Sequence, residues 1–316
     1  MISVSHLTKW YGDHLAVDDL SFEIGEGHVY GFLGPNGAGK STTMNIITGC
    51  LSASAGKVTV GGYDIFEEPQ KAKAQIGYLP EQPPLYMNES PEEYLCFVGQ
   101  AKGLRGDALK DQIEDVIQQT GIQSVRNRRI SALSKGYKQR VGIAQALLGD
   151  PKVIILDEPT VGLDPLQIIE IRDLIKTLGK THTVIFSSHI LSEVQTICDE
   201  ILMIANGKLV AFDTPENLEK QMRSASEILL TVEGAQEQVA RILSEVPQIT
   251  DSKLSVSGNQ VSATLKTDCE DVSSLTRTLF QTFAENNLVL LEMTTKKASL
   301  EDVFIELSEN KEASEG

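Results

Sequence analysis

The stretch Gly34-Pro35-Asn36-Gly37-Ala38-Gly39-Lys40-Ser41-Thr42 constrains this chain more than any other. It fits the pattern GxxxxGK(S/T), a loop that cradles a polyphosphate. A mostly apolar run from His28 to Leu33 precedes it and reads as a buried strand, and a helix-like segment from Thr43 to Ile47 follows. Strand, glycine-rich loop and helix are the order this chemistry needs. Glycines at 34, 37 and 39 admit positive φ and let backbone N–H groups turn toward one anion. The helix starting near Lys40 adds the positive end of its dipole. In this frame Lys40 reaches the β- and γ-phosphates and the Ser41 hydroxyl ligates Mg²⁺. The chain is expected to bind a nucleoside triphosphate.

Two further stretches carry chemistry. The apolar run Val153-Ile154-Ile155-Leu156 ends in Asp157-Glu158 and then Pro159-Thr160. A carboxylate at the end of such a strand meets Mg²⁺, usually through water. The adjacent Glu158 is then placed to hold or deprotonate an attacking water. Upstream lies Leu133-Ser134-Lys135-Gly136-Tyr137-Lys138-Gln139-Arg140. Ser134 suits the N-cap of a helix running to Leu148. The free N–H groups there can hold a phosphate, although a plain capped helix accounts for the same residues.

The loop at 34–42, the Leu-Ser-x-Gly signature followed by Gln-Arg, and Ile-Leu-Asp-Glu-Pro, in that order, resemble the ATP-binding-cassette (ABC) ATPases. The resemblance covers roughly residues 1–220. Gly162-Leu163-Asp164 resembles the D-loop of that family, and Ser188-His189 its switch histidine. It implies an α/β P-loop NTPase cassette with a mostly parallel sheet core, an antiparallel β subdomain and a helical subdomain. It implies ATP and Mg²⁺ as ligands, and two cassettes stacked head to tail, either a homodimer or a paired ABC subunit. One site would then take Gly34–Thr42, Asp157, Glu158 and His189 from one protomer and Ser134, Lys135 and Gly136 from its partner. His189 would contact the γ-phosphate, and Asp164 would sit at the seam or simply cap the loop before Pro165. Tyr11 stands where the family sets an aromatic against adenine, with Trp10 as the competing candidate.

The sequence departs from the family at three places. Lys135 replaces the commoner Gly of the signature and Tyr137 the commoner Gln; Lys135 either adds positive charge near the γ-phosphate or faces solvent. The family's Q-loop glutamine aligns with Glu81, and Gln82 is its neighbour. Either could approach Mg²⁺ and the attacking water. The helical insert that follows, about 88–148, is where the family docks an integral membrane permease, with Pro83, Pro84, Leu85 and Tyr86 near that contact.

Elsewhere the pattern gives organisation. Residues 2–8 alternate and predict a first edge strand, then a turn at Lys9–Asp13 and a second strand from Val17 to Ile24. Thr183 to His189, a strand ending in a polar cluster, and the hairpin signal Asn206-Gly207 add strands, with a helix from Leu166 to Leu178. Strand–helix alternation predicts a largely parallel sheet for residues 1–222. From 223 to 308 the order β-α-β-β-α-β predicts a small ferredoxin-like α+β accessory domain, closed by a helix at Ser299–Leu307. Residues 309–316 read as a flexible tail. Lys297-Ala298-Ser299-Leu300-Glu301-Asp302-Val303-Phe304 resembles the C-terminal segment of export-type cassettes of drug, polysaccharide or gliding-motility systems.

Charge and composition narrow the role. The 316 residues carry a formal charge of −16, which disfavours general nucleic-acid binding and independent adsorption to an anionic membrane. Cys50, Cys96, Cys198 and Cys269 form no CxxC pair and no zinc or disulfide spacing. No apolar run approaches the ~18 residues that span a bilayer, and no signal-peptide pattern opens the chain. The reading is an ATPase subunit on the cytoplasmic face of a membrane, powering a separate permease. The alternative is a soluble cassette acting on ribosomes or DNA. One loop, one signature and no sustained heptads between Lys40 and Leu133 disfavour it.

Overall fold

The chain enters its structure through β1 (Ile2–Tyr11) and β2 (His14–Ile24), a hairpin around Gly12-Asp13. In the computed structural model the described residues are 2–222, 226–267, 269 and 271–296. The helix expected at Ser299–Leu307, the segment Lys297–Phe304 and the tail 309–316 lie outside them. β3 (Val29–Leu33) leads into the glycine-rich loop and α1 (Lys40–Ile47) leaves it. β4 (Ala55–Val60), β5 (Tyr63–Asp64), α2 (Pro69–Ala74) and β6 (Ile76–Leu79) follow.

β1 is not the edge strand its alternation suggested. It lies between β2 and β4 in an antiparallel sheet of order β2-β1-β4-β5, with Ile2 facing both Ile24 and Val60. The alternation also breaks. The register shifts between Val4 and Leu7, where His6 takes a φ of 51°, so His6 is exposed while Leu7 is fully buried. Such a bulge turns the apolar face back inward after one extra residue.

α3 (Pro91–Ala101), α4 (Gly106–Thr120) and α5 (Lys135–Leu147) make up the helical part. α3 starts with a capping box: the Glu93 N–H donates to Ser90 Oγ, and Ser90 N–H donates to Glu93 Oε2 at 2.8 Å. The Ser90 N–H, and after it the Ser90 hydroxyl donating to the same oxygen at 2.7 Å, hold the Glu93 carboxyl below the ordinary glutamate range. α4 stops at Gly121, in the left-handed region at φ 67°.

β7 (Val153–Leu156), α6 (Pro165–Leu178), β8 (Thr183–Ser188), α7 (Leu191–Ile197), β9 (Glu200–Ala205), β10 (Lys208–Asp213) and α8 (Pro215–Met222) complete the sequence up to residue 222. The second sheet runs β10-β9-β3-β8-β7-β6, parallel except for the β9–β10 hairpin. Every residue of β3, β7 and β8 is buried, which explains why these strands read as continuous apolar runs. The core between the sheets gathers Ile2, Val4, Phe22, Phe32, Met44 and Ile155. Burial here fixes where β3, β7 and β8 end, and those ends carry the polar residues described next.

Two compact units divide the chain at Pro215 and Glu216. In the second, β11 (Ser226–Glu233), α9 (Gln236–Ser244), β12 (Ile249–Ser257), β13 (Gln260–Thr267), α10 (Val272–Glu285) and β14 (Val289–Lys296) form an antiparallel sheet of order β12-β13-β11-β14. This is the ferredoxin-like arrangement that the element order predicts. Alternate residues Ile228, Leu230 and Val232 of β11 are buried with Val239 and Ile242 of α9 and Leu279 and Phe283 of α10.

Candidate nucleotide site

The loop between β3 and α1 is shaped by glycines that close contacts require. Gly37 and Gly39 sit at φ 78° and 102°, where a β-carbon is strained. A β-carbon on Gly39 would also lie 2.6 Å from the Ala16 carbonyl oxygen. The loop is braced from behind. Gly207, at the tip of the β9–β10 hairpin, donates its N–H to the Ala38 carbonyl at 3.1 Å, and its own carbonyl accepts the Asp18 N–H at 2.9 Å. Lys40 folds over the loop, its Nζ donating to the carbonyls of Gly34 at 2.7 Å and Pro35 at 3.3 Å. Burial pushes the Lys40 ammonium below the ordinary lysine range, and Glu158 partly offsets that by attraction.

β7 and β8 bring acids and hydroxyls to the same end of the sheet. Asp157 Oδ1 accepts from Ser187 Oγ at 2.6 Å and from Ser41 Oγ at 3.2 Å. The Glu158 N–H donates to Ser187 Oγ at 2.8 Å. Glu158 itself adopts φ 48°, a conformation that costs a non-glycine residue about 1–3 kcal/mol. The turn this makes aims its carboxylate into the site. Oε1 lies 3.5 Å from Lys40 Nζ, and Oε2 is 3.0 Å from His189 Nδ1. Glu158 is 8% exposed, so its charge acts in a poorly screened setting.

These groups border one cleft of about 400 Å³, lined among others by Tyr11, Asn36, Lys40, Glu81, Glu158 and His189. Gly37, Gly39, Ser41 and Thr42 also line it, as do His14, Ala16 and Val161, which the sequence pattern did not single out. Trp10 and Gln82 do not line it, so of each competing pair it is Tyr11 and Glu81 that border the cleft. Lys9 Nζ stands 5.2 Å over the Tyr11 ring, leaving that ring about half exposed. Asp157, at 3% exposure, lies beneath the surface and accepts hydrogen bonds from Ser41 and Ser187.

Ser134 and Gly136 border a different cleft, of about 370 Å³, together with Tyr137, Arg140, Asp164 and Gln167. Ser134 caps α5 and Asp164 caps α6, its Oδ1 accepting the Gln167 N–H at 2.9 Å. The Lys135 ammonium lies against Gly162. Within one chain the signature and the glycine-rich loop thus face separate clefts.

Residues 17–161 match the family model described as ABC transporter. Over 309 residues the chain is 32% identical to the linearmycin resistance ATP-binding protein LnrL of Bacillus subtilis (strain 168), covering 98% of each. The chain belongs to the ABC transporter ATP-binding family. It is an ABC ATPase. A second relative of this cassette, the bacitracin transport ATP-binding protein BcrA of Bacillus licheniformis, is 34% identical over 97% of both chains. Among solved structures, the ATP-binding subunit of an ABC transporter superposes with a TM-score of 0.63 at 30% identity, over 70% of this chain and 92% of that one. The dimeric bacterial ABC transporter cassette MJ0796 superposes with a TM-score of 0.62 at 25% identity, over 68% and 98%. Among the described residues of the cassette, no helix is long and apolar enough to cross a membrane.

Proposed function

We propose that this ABC ATPase is the motor subunit of an exporter, hydrolysing ATP in a head-to-tail pair of cassettes on the cytoplasmic face of a membrane and driving a separate integral permease. The observation that carries the reading is the convergence of Lys40, Glu158 and His189 on one cleft beside the glycine-rich loop. The separation of the signature cleft from that loop supports a site completed by a second cassette. Nothing in the fold or the charge of −16 calls for nucleic acid. Names of the relatives, linearmycin resistance and bacitracin transport, support an antibiotic-like cargo.

The residues fit a magnesium ion. Ser41 Oγ and Asp157 Oδ1 stand 3.2 Å apart and are the hard oxygen donors that Mg²⁺ prefers. They would hold it, Asp157 through water, with Glu81, which lines the cleft, or its neighbour Gln82 as the Q-loop candidate. When bound, Mg²⁺ supplies charge neutralisation at the β- and γ-phosphates. Lys40 exchanges the Gly34 and Pro35 carbonyls for phosphate oxygens. Glu158 takes a proton from water as the water oxygen bonds to the γ-phosphorus, and the bond to the bridging oxygen breaks to leave ADP. His189 holds the Glu158 carboxylate in line and contacts the γ-phosphate. Tyr11 stacks on the adenine, and Ser134, Lys135, Gly136 and Asp164 of the partner close over the phosphates. Residues 223–308 act as an accessory domain.

A tagged Glu158→Gln chain, trapped with ATP and Mg²⁺ and extracted from membranes in mild detergent, tests this. Stoichiometric recovery of a multi-span membrane protein is the expected result. Recovery of ribosomes or DNA-bound proteins instead would transfer the chain to the other class of cassette.

A further inference from the structure

A buried carboxylate that the hydrolytic chemistry does not use lies behind the Glu158–His189 pair. Glu193, on α7, is 1% exposed. Its Oε2 accepts from Thr160 Oγ1 at 2.7 Å and from Ser188 Oγ at 3.0 Å. Its Oε1 is 3.4 Å from Arg172 Nη2 of α6. Thr160 comes two residues after Glu158, and Ser188 immediately precedes His189. One carboxylate therefore ties together the two turns that present the hydrolytic pair.

The attachments are directional. Ser188 Oγ receives the Ile190 N–H at 3.0 Å while donating to Glu193, so it fixes the turn on both sides of His189. The Thr160 hydroxyl anchors a turn closed by the Val161 N–H on the Glu158 carbonyl at 3.2 Å. That turn holds Glu158 at positive φ. Arg172 supplies charge more than geometry, since its Nε is buried without a hydrogen-bond partner among the described residues. One carboxyl oxygen has two lone pairs and so accepts both hydroxyls, which are themselves buried, Thr160 at 5% and Ser188 at 1% exposure.

We propose that Glu193 is a positioning residue: it sets the distance between Glu158 and His189 by gripping Thr160 and Ser188 together. This rests on the assignment of Glu158 and His189 to hydrolysis. Neither Thr160 nor Ser188 borders the nucleotide cleft, so nucleotide binding and hydrolysis respond differently to their loss.

The test is steady-state hydrolysis by the full chain carrying Thr160→Val or Ser188→Ala. Each removes one hydroxyl and leaves the Glu193–Arg172 pair in place, so folding is retained where Glu193→Ala would leave the half-buried Arg172 without its carboxylate. In each, kcat falls about ten-fold or more while KM for ATP stays within about two-fold, as a misplaced catalytic pair requires. Glu193→Gln, which keeps an acceptor oxygen, loses less than Glu193→Ala. Unchanged kcat in both hydroxyl variants, or a fall in kcat matched by weaker ATP binding and a lower Tm, overturns the proposal. Glu158→Gln separates the two ideas. If it turns over normally the underlying assignment fails, whereas an inactive Glu158→Gln beside normal Thr160→Val and Ser188→Ala removes Glu193 alone.

Discussion

Glu158 Oε2 and His189 Nδ1 stand 3.0 Å apart although 31 positions separate them in the chain. The parallel pairing of β7 with β8, Leu156 opposite Phe186, brings their two turns side by side. The contact is therefore a property of sheet register, and the buried strands that set register also set the spacing of this pair.

Replacing Glu158 by Gln keeps the shape of the side chain and removes its basicity. Hydrolysis is expected to fall by about 10²–10⁴-fold, the range a general base supplies, with ATP still bound. His189→Ala is expected to slow hydrolysis as well, through the lost contact. Phosphate release measured beside equilibrium nucleotide binding separates the two effects, and wild-type turnover in Glu158→Gln would remove it from this role.

Gly39→Ala tests the loop. The new methyl meets the Ala16 carbonyl oxygen at 2.6 Å and sits at φ 102°, so the loop must reshape at a cost of about 1–3 kcal/mol. The expected outcome is a folded chain with ATP affinity lowered about ten-fold or more, read by calorimetric titration. Unaltered affinity would show that the loop tolerates another path.

Lys40 makes ATP binding pH-dependent. Burial lowers its free-state pKa, and paired phosphate oxygens raise it on binding. The complex then holds more protons than the free chain in the alkaline range. Affinity is expected to fall as pH rises through that window, with proton uptake on binding that grows toward its alkaline end. Calorimetry in buffers of different ionisation heat measures the uptake directly; its absence at the higher pH would place Lys40 away from the phosphates.

Phe283 is fully buried in the core of the second unit. Phe283→Ala should destabilise that unit by about 3–5 kcal/mol. We expect an unfolding step at lower temperature in scanning calorimetry, with ATP affinity within about two-fold of the original. Affinity lost in step with that transition would contradict the placement of every nucleotide contact before residue 216.

Much of this architecture is legible in the sequence because its constraints are local. Glycines 34, 37 and 39 and Lys40 sit together in one short run, and buried β3, β7 and β8 announce themselves as apolar stretches. What escaped is set by tertiary packing. The bulge at His6 lies with its backbone close against Gly56 of β4, a pairing that alternation does not encode. The short helices α2 and α7 have too few turns to show a period. Glu193, one acid in Leu191-Ser192-Glu193-Val194, gains meaning only when α6 and the ends of β7 and β8 surround it. The choice between Tyr11 and Trp10, and between Glu81 and Gln82, likewise depends on which side chain the turn rotates toward the cleft.

The bond from Gly207 to Ala38 gives the hairpin of β9 and β10 a task beyond closing the edge of the sheet. A glycine-rich loop left to itself samples many shapes, and ordering it on each nucleotide would weaken binding and slow release. The hairpin and β2 buttress the loop through backbone contacts that involve no phosphate. A nucleotide entering the cleft then meets a loop already shaped by backbone bonds instead of one it must order.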